Sequence, residues 1–173
     1  MRWIWIDAFT EFESRKRAVA IKNISLAEEH LHDHFPGYPV MPPSLVIEGM
    51  AQTAGILVGE ARNFAEKVIL AKVQRAEFDD YGVPGDQLIY EATIESLEEA
   101  AAGITGTVYR RGSKMGTISL LFSHADKAMT DLGLPEHNFV FNDQFLGLLN
   151  TYRAGLGRSQ FRDESVDSTS GDA

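Results

Sequence analysis

Residues 42 to about 63 are apolar almost all the way round a helix. Leu45, Val46, Ile47, Met50, Ala51, Ala54, Ile56, Leu57 and Val58 cover most of its circumference. Such a helix is buried on most sides, so the rest of the chain has to wrap around it. Pro42 or Pro43 suits the first turn, where a missing N–H costs nothing. Ala51, Gly55 and Gly59 recur at every fourth residue and leave a smooth stripe that another element can approach closely.

The wrapping material is β-rich. Residues 18–24 have the β-branched content of a strand, and four more strand-like segments follow at about 67–78, 86–97, 103–111 and 114–124. In the second of these, Leu88, Tyr90, Ala92 and Ile94 fall on one face and Glu91, Thr93 and Glu95 on the other, the period of a half-buried strand. Pro84-Gly85 and Arg111-Gly112-Ser113 mark turns. Connections this short favour antiparallel pairing, because parallel strands need long crossovers. The expected class is α+β, one long central helix wrapped by a curved antiparallel sheet. Residues 9–17 are polar and read as a turn or loop, and 3–6 as a short strand or packing anchor. Residues 1–125 then make the domain. Residues 126–157 are an extension expected to pack on it through an amphipathic helix near 143–153, and 158–173, rich in Ser and Asp, an expected disordered tail.

Composition limits the function classes. The 173 residues are 44% hydrophobic and 24% charged, as for one soluble globular domain. The absence of cysteine excludes disulfides, thiolate metal sites and a cysteine nucleophile. It also fits a reducing compartment. No apolar run reaches the length of a membrane span, and the N-terminal patch is too short for a signal-peptide core, so a cytoplasmic location is expected. A net charge of −9 argues against nucleic-acid binding.

Two residues stand out chemically. Glu48 is the carboxylate inside the apolar run, and Gln52, one turn on, can hold it by a hydrogen bond. The bland alternative is a glutamate on a narrow exposed strip. His34 lies in a loop stiffened by Pro36 and Pro39, and imidazole suits a general base near neutral pH. His30, His32 and His34 alternate at a spacing that on an extended chain puts two or three imidazoles on one side, as zinc binding requires, but a polar loop that happens to hold histidines explains them as well. Ser44 stands at the helix start, where it can cap. It lacks the Gly-x-Ser-x-Gly surroundings of a hydrolase nucleophile.

Segment 34–52 as a whole resembles the signature His-Phe-Pro-x-x-Pro-x-Met-Pro-Gly-x-Leu-x-x-Glu-x-x-Ala-Gln of the β-hydroxyacyl-acyl carrier protein dehydratases of fatty acid synthesis (FabZ-like). It matches at His34, Phe35, Pro36, Pro39, Met41, Pro42, Leu45, Glu48, Ala51 and Gln52. The similarity extends over roughly residues 1–125. Ile4-Trp5-Ile6-Asp7 resembles the family's apolar-Asp start, residues 18–25 its first long strand, and Val83-Pro84-Gly85-Asp86-Gln87-Leu88 its Pro-Gly-Asp turn. Glu at position 48, rather than Asp, resembles the general dehydratase branch and not the branch that also isomerises the double bond.

The resemblance implies a hot-dog fold and a lyase that dehydrates a 3-hydroxyacyl thioester to the trans-2-enoyl thioester without cofactor or metal. His34 is then the base at C2 and Glu48 the acid at the departing hydroxyl. It implies a homodimer or a trimer of dimers, with His and Glu of each site from different subunits. It also implies an acyl tunnel, for which Phe35, Met41, Leu45 and Phe78 are the expected lining. Ser44 and Gln52 are the expected orienting groups. The partner is the acyl carrier protein, and Arg15-Lys16-Arg17, Lys72 with Arg75, and Arg110-Arg111 with Lys114 are candidate docking patches. One residue departs from the pattern: Pro43 replaces the family glycine and removes an N–H expected at the thioester oxygen, a role that Ser44 is placed to take. The alternatives are a hot-dog thioesterase, a hydratase acting on coenzyme A thioesters, or an inactive module that binds acyl thioesters.

Overall fold

The structure is a computed structural model and describes residues 4–125 and 135–153. The polar tail expected at 158–173 and the start of the extension at 126–134 lie outside the described residues. The elements are β1 (Ala8–Glu13), β2 (Arg17–Asn23), α1 (His30–Asp33), α2 (Pro43–Glu60), β3 (Val68–Phe78), β4 (Gln87–Leu97), β5 (Ala101–Arg110), β6 (Ser113–His124) and α3 (Asp143–Arg153). Six antiparallel strands form one sheet in the order β1-β2-β4-β5-β6-β3. The sheet packs on α2, as the hot-dog fold requires.

The inward faces explain the wrapping. Leu88, Tyr90 and Ala92 of β4, Ile104 and Val108 of β5, and Ile118 and Leu120 of β6 are all buried against Met50, Ala54 and Leu57 of α2 in one core. Register slips in the β1/β2, β3/β6, β4/β5 and β5/β6 ladders bend the strands and raise their twist, which is how a single sheet curves around a helix. Arg111 and Gly112 form the two-residue β5–β6 loop, both with positive φ (52° and 78°), the geometry that matches the twist of a tight hairpin.

Residues 9–17 differ from the loop expected for them: 8–13 form β1. Thr10 is the extra residue of a bulge, since Phe9 faces Ala20 while Glu11 faces Val19. Phe9 and Phe12 therefore both point inward at a spacing of three, and the period-2 signal disappears. Segment 4–7 is an anchor rather than a strand. Ile6 is buried, and the Trp5 N–H donates to Gln52 Oε1 at 2.8 Å.

Close approach of helix to sheet rests on Gly49. A Cβ there would stand 2.6 Å from Tyr90 Cζ, and Tyr90 is fully buried. Gly49→Ala is expected to cost about 1–3 kcal/mol through overpacking and to lower the thermal midpoint by several degrees. An unchanged melting curve would disprove this reading of the contact.

Candidate active site

α2 begins as its sequence indicates, with Pro43 at its first turn and no side-chain cap. The Leu45 and Val46 N–H groups both donate to Pro42 O. Pro42 and Pro43 carry no N–H, so Ser44 offers the first-turn amide that no bond among the described residues uses. The Ser44 side chain is exposed. The positive end of the helix dipole lies here, favourable to developing negative charge.

One turn into the helix, Glu48 is half-buried and accepts a hydrogen bond from Gln52 Nε2 at 2.9 Å. The Trp5 main-chain N–H occupies Gln52 Oε1, and this fixes which end of the amide faces Glu48. The three groups form a chain of donors in which Gln52 holds Glu48 Oε1 and leaves Oε2 available. Both side chains open on an apolar cavity of about 240 Å³, walled by Ile6, Ala51, Ile56, Leu70, Phe122 and Phe141 among others. Glu60, the other carboxylate of α2, is buried and accepts from Ser14 Oγ at 2.8 Å, a structural role.

The His34 loop is tightly tied. Phe35 and Tyr38 exchange backbone hydrogen bonds at 3.0 and 2.9 Å, the Val40 N–H donates to His34 O at 2.9 Å, and the Met41 N–H donates to Gly82 O at 2.8 Å. The receiving loop is held in turn by Asp86. This buried carboxylate takes the Val83 N–H at 3.0 Å and Arg111 Nε at 2.6 Å, and also pairs with Arg110. Burial pushes the Asp86 carboxyl up, but these donors outweigh it and hold it below the usual carboxylate range. His34 itself is half-buried, with Nδ1 3.0 Å from Val40 O. A carbonyl can only accept, so Nδ1 carries the proton and the Nε2 lone pair is the basic one.

His34 does not line the cavity that holds Glu48 and Gln52. Neither do the expected tunnel residues. Phe35 stacks on His34 at a centroid distance of 4.2 Å and is exposed, Met41 is buried in the core, and Leu45 and Phe78 are half-buried against the core. The three alternating histidines do not share a face on an extended chain. His30 and His32 lie in α1, His30 edge-on to Trp5 and His32 Nε2 at 3.1 Å from Leu26 O. Among the described residues, no three His, Asp or Glu side chains converge as a metal site would require.

Sequence reasoning missed Ile4, Ile6, Val68, Phe122, Val140, Phe141 and Phe145 as cavity residues. The alternation through Ile118, Leu120 and Phe122 and the i, i+4 spacing of Phe141 and Phe145 were the available signals. The smooth stripe on α2 also finds its neighbours: a Cβ on Gly59 would meet Phe141 Cζ at 2.5 Å, and one on Gly55 would meet Phe122 at 3.4 Å.

Comparison with known proteins places this arrangement. The FabA-like domain profile matches residues 3–117. A 3-hydroxyacyl-[acyl-carrier-protein] dehydratase FabZ from Pelotomaculum thermopropionicum is 35% identical over 122 residues, covering 70% of this chain and 87% of that protein. The protein of the same name from Bacillus pumilus is 39% identical over 101 residues, covering 58% and 70%. Among solved structures, a Streptococcus mutans protein bound to acetyl-CoA superposes with a TM-score of 0.58 at 10% identity, over 71% of this chain and 91% of that one. A dehydratase heterocomplex from Xenorhabdus doucetiae gives 0.53 at 14% identity, over 66% and 96%. The structural likenesses carry the fold alone, whereas the sequence matches span most of the chain, which belongs to the FabA-like domain family and, within it, to the FabZ-like hot-dog dehydratases.

Proposed function

We propose that this chain is a 3-hydroxyacyl-[acyl-carrier-protein] dehydratase of fatty acid biosynthesis. The observation that carries the reading is Glu48, held by Gln52 at one oxygen and lining an apolar cavity. Elimination of water from a 3-hydroxyacyl thioester needs a base at C2 and a proton for a poor leaving group, hydroxide. His34 Nε2 takes the C2 proton. The electron pair moves to C2–C3 as the C3–O bond breaks, and Glu48 Oε2 gives its proton to the departing hydroxyl, which leaves as water. The thioester oxygen gains charge at the transition state, and the Ser44 N–H at the positive end of α2 meets it. A preorganised donor of this kind is worth about 10²–10³ in rate. Return of the proton from His34 to Glu48, directly or through water, resets the site.

The reading includes a homodimer, alone or as a trimer of dimers, in which each site takes His34 from one subunit and Glu48 from the other. It is supported by the absence of His34 from the Glu48 cavity. Phe35 and Tyr38 beside it are 54% and 66% exposed, a patch suited to a partner subunit. β3 is an edge strand of the sheet among the described residues, with Val73 exposed, and edge strands recruit further strands. A twofold axis would supply both contacts at once. The acyl carrier protein is the substrate-bearing partner. Of the candidate docking cations, Arg110 and Arg111 pair with Asp86, Arg17 with Glu11 and Glu91, and Arg75 with Glu77. Lys72 and Lys114 have no ion pair among the described residues. No described helix is long and apolar enough to cross a membrane, and we place the enzyme in the cytoplasm with its carrier.

Incubation with an enoyl-acyl carrier protein, followed by product analysis, tests the reaction. Reversible hydration to the 3-hydroxyacyl thioester is expected. Release of free thiol would mean a thioesterase, and binding with neither product would mean an inactive module.

A further inference from the structure

The described part of the C-terminal segment, 135–153, lies beyond the family match, which ends at residue 117. It is nevertheless built into the cavity beside Glu48. Asn138 pins it with all of its amide capacity: Nδ2 donates to Phe64 O and Glu66 O at 3.0 and 3.2 Å, and Oδ1 accepts from the Val140 and Phe141 N–H groups at 3.0 and 2.9 Å. The buried Lys67 adds a bond from Nζ to Glu136 O at 3.1 Å. Asn142 Oδ1 then caps α3 by accepting the Phe145 N–H at 2.9 Å. The result is a fixed aromatic wall. Phe141 is buried over Gly59, edge-on to Phe64 at 5.0 Å and against Phe145 at 5.3 Å, and Val140, Phe141 and Phe145 all line the cavity that Glu48 and Gln52 enter.

We infer that Phe141 and Phe145 are specificity-determining residues: they close the acyl pocket and set the longest chain that it accepts. This rests on the dehydratase reading, in which the acyl chain leads away from the carbons that Glu48 serves. The cavity of about 240 Å³ holds about eight methylene-sized groups, at ~30 Å³ for each water-sized group. Scaling from the benzene that a 150 Å³ apolar cavity accepts gives about ten carbons, so the range is about eight to ten. The preferred substrates are then medium-length acyl thioesters, and longer chains meet the Phe145 ring.

The test is a binding and turnover series with saturated acyl-pantetheine thioesters and the matching enoyl-acyl carrier proteins, on the full chain and its Phe145→Ala and Phe145→Trp variants. Affinity is expected to rise about fourfold per added methylene while the chain fits and to stop rising near about eight to ten carbons. In Phe145→Ala the break moves to longer chains, and the ratio of kcat/KM for an about sixteen-carbon chain to that for an about eight-carbon chain rises at least about tenfold. In Phe145→Trp the break moves to shorter chains. A break at the same length in all three proteins overturns the inference, as does a wild-type affinity that climbs steadily to the longest chain or acyl binding by none of them. A break that moves while no protein turns substrate over would sustain this assignment and sink the dehydratase reading. Turnover with a fixed break would do the reverse.

Discussion

His34→Ala is expected to lower kcat by about 10²–10⁴-fold, the usual worth of a positioned general base, while the protein stays folded. Among the described residues the imidazole makes one hydrogen bond, to Val40 O, and stacks on an exposed Phe35. Its removal therefore costs about 1 kcal/mol of stability. The loop keeps its backbone bonds between Phe35 and Tyr38, from Val40 to His34 and from Met41 to Gly82. The loss of rate should thus appear with nearly unchanged melting and little change in the affinity for a saturated acyl thioester. Wild-type kcat in the variant would remove His34 from the chemistry. A collapse of the fold would instead mean that the Val40 bond was its main role.

Glu48→Gln is expected to cost a similar factor of about 10²–10⁴ in kcat with KM little changed. The amide has the shape of the acid and its oxygen can still accept from Gln52 Nε2, so the Trp5–Gln52 chain survives. It has no acidic proton to deliver to hydroxide. Steady-state kinetics of the variant check this, and a fall in kcat of less than about tenfold would assign proton delivery to another group. The two variants together test the shared site. Random reassociation of His34→Ala with Glu48→Gln subunits gives mixed dimers in which one of two sites is intact, so about a quarter of wild-type activity should return. No recovery on mixing, with dimer exchange verified, would place both residues in a site made by one chain.

Much of this fold is legible without coordinates because its signals are local. The composition of 42–63 reports burial on all sides, and α2 runs over Pro43–Glu60. Alternation in 86–97 reports a half-buried strand, and β4 has Leu88, Tyr90 and Ala92 fully buried. The Arg111-Gly112 pair reports a tight hairpin, and both residues have positive φ. The same reasoning fails at β1, where the Thr10 bulge replaces the spacing of two by one of three. Of the two readings of the histidines at 30–34, the shared face needed an extended strand, which puts alternate residues on one side; His30 and His32 lie instead in a helical turn, which does not.

The candidate site divides along the same line. The sequence by itself determines that Glu48 and Gln52 share a helix face, that Pro43 leaves Ser44 as the free first-turn amide, and that His34 stands in a proline-stiffened loop. These are relations among residues within about one or two turns of each other. What surrounds Glu48 was decided only by tertiary structure. β3 follows α2 in the chain but joins the sheet beside β6, at the far edge from β1 and β2. This places Leu70 of β3 next to Phe122 of β6, and Ile6 and Phe141, 135 residues apart in sequence, on one cavity wall. The stripe at Gly55 and Gly59 announces that something comes close. The choice of Phe122 and Phe141 depends on strand order, sheet curvature and the Asn138 anchor. Periodicity encodes which face of an element is buried. The identity of what buries it is a balance of long-range packing against chain-closure entropy, and no local pattern records it.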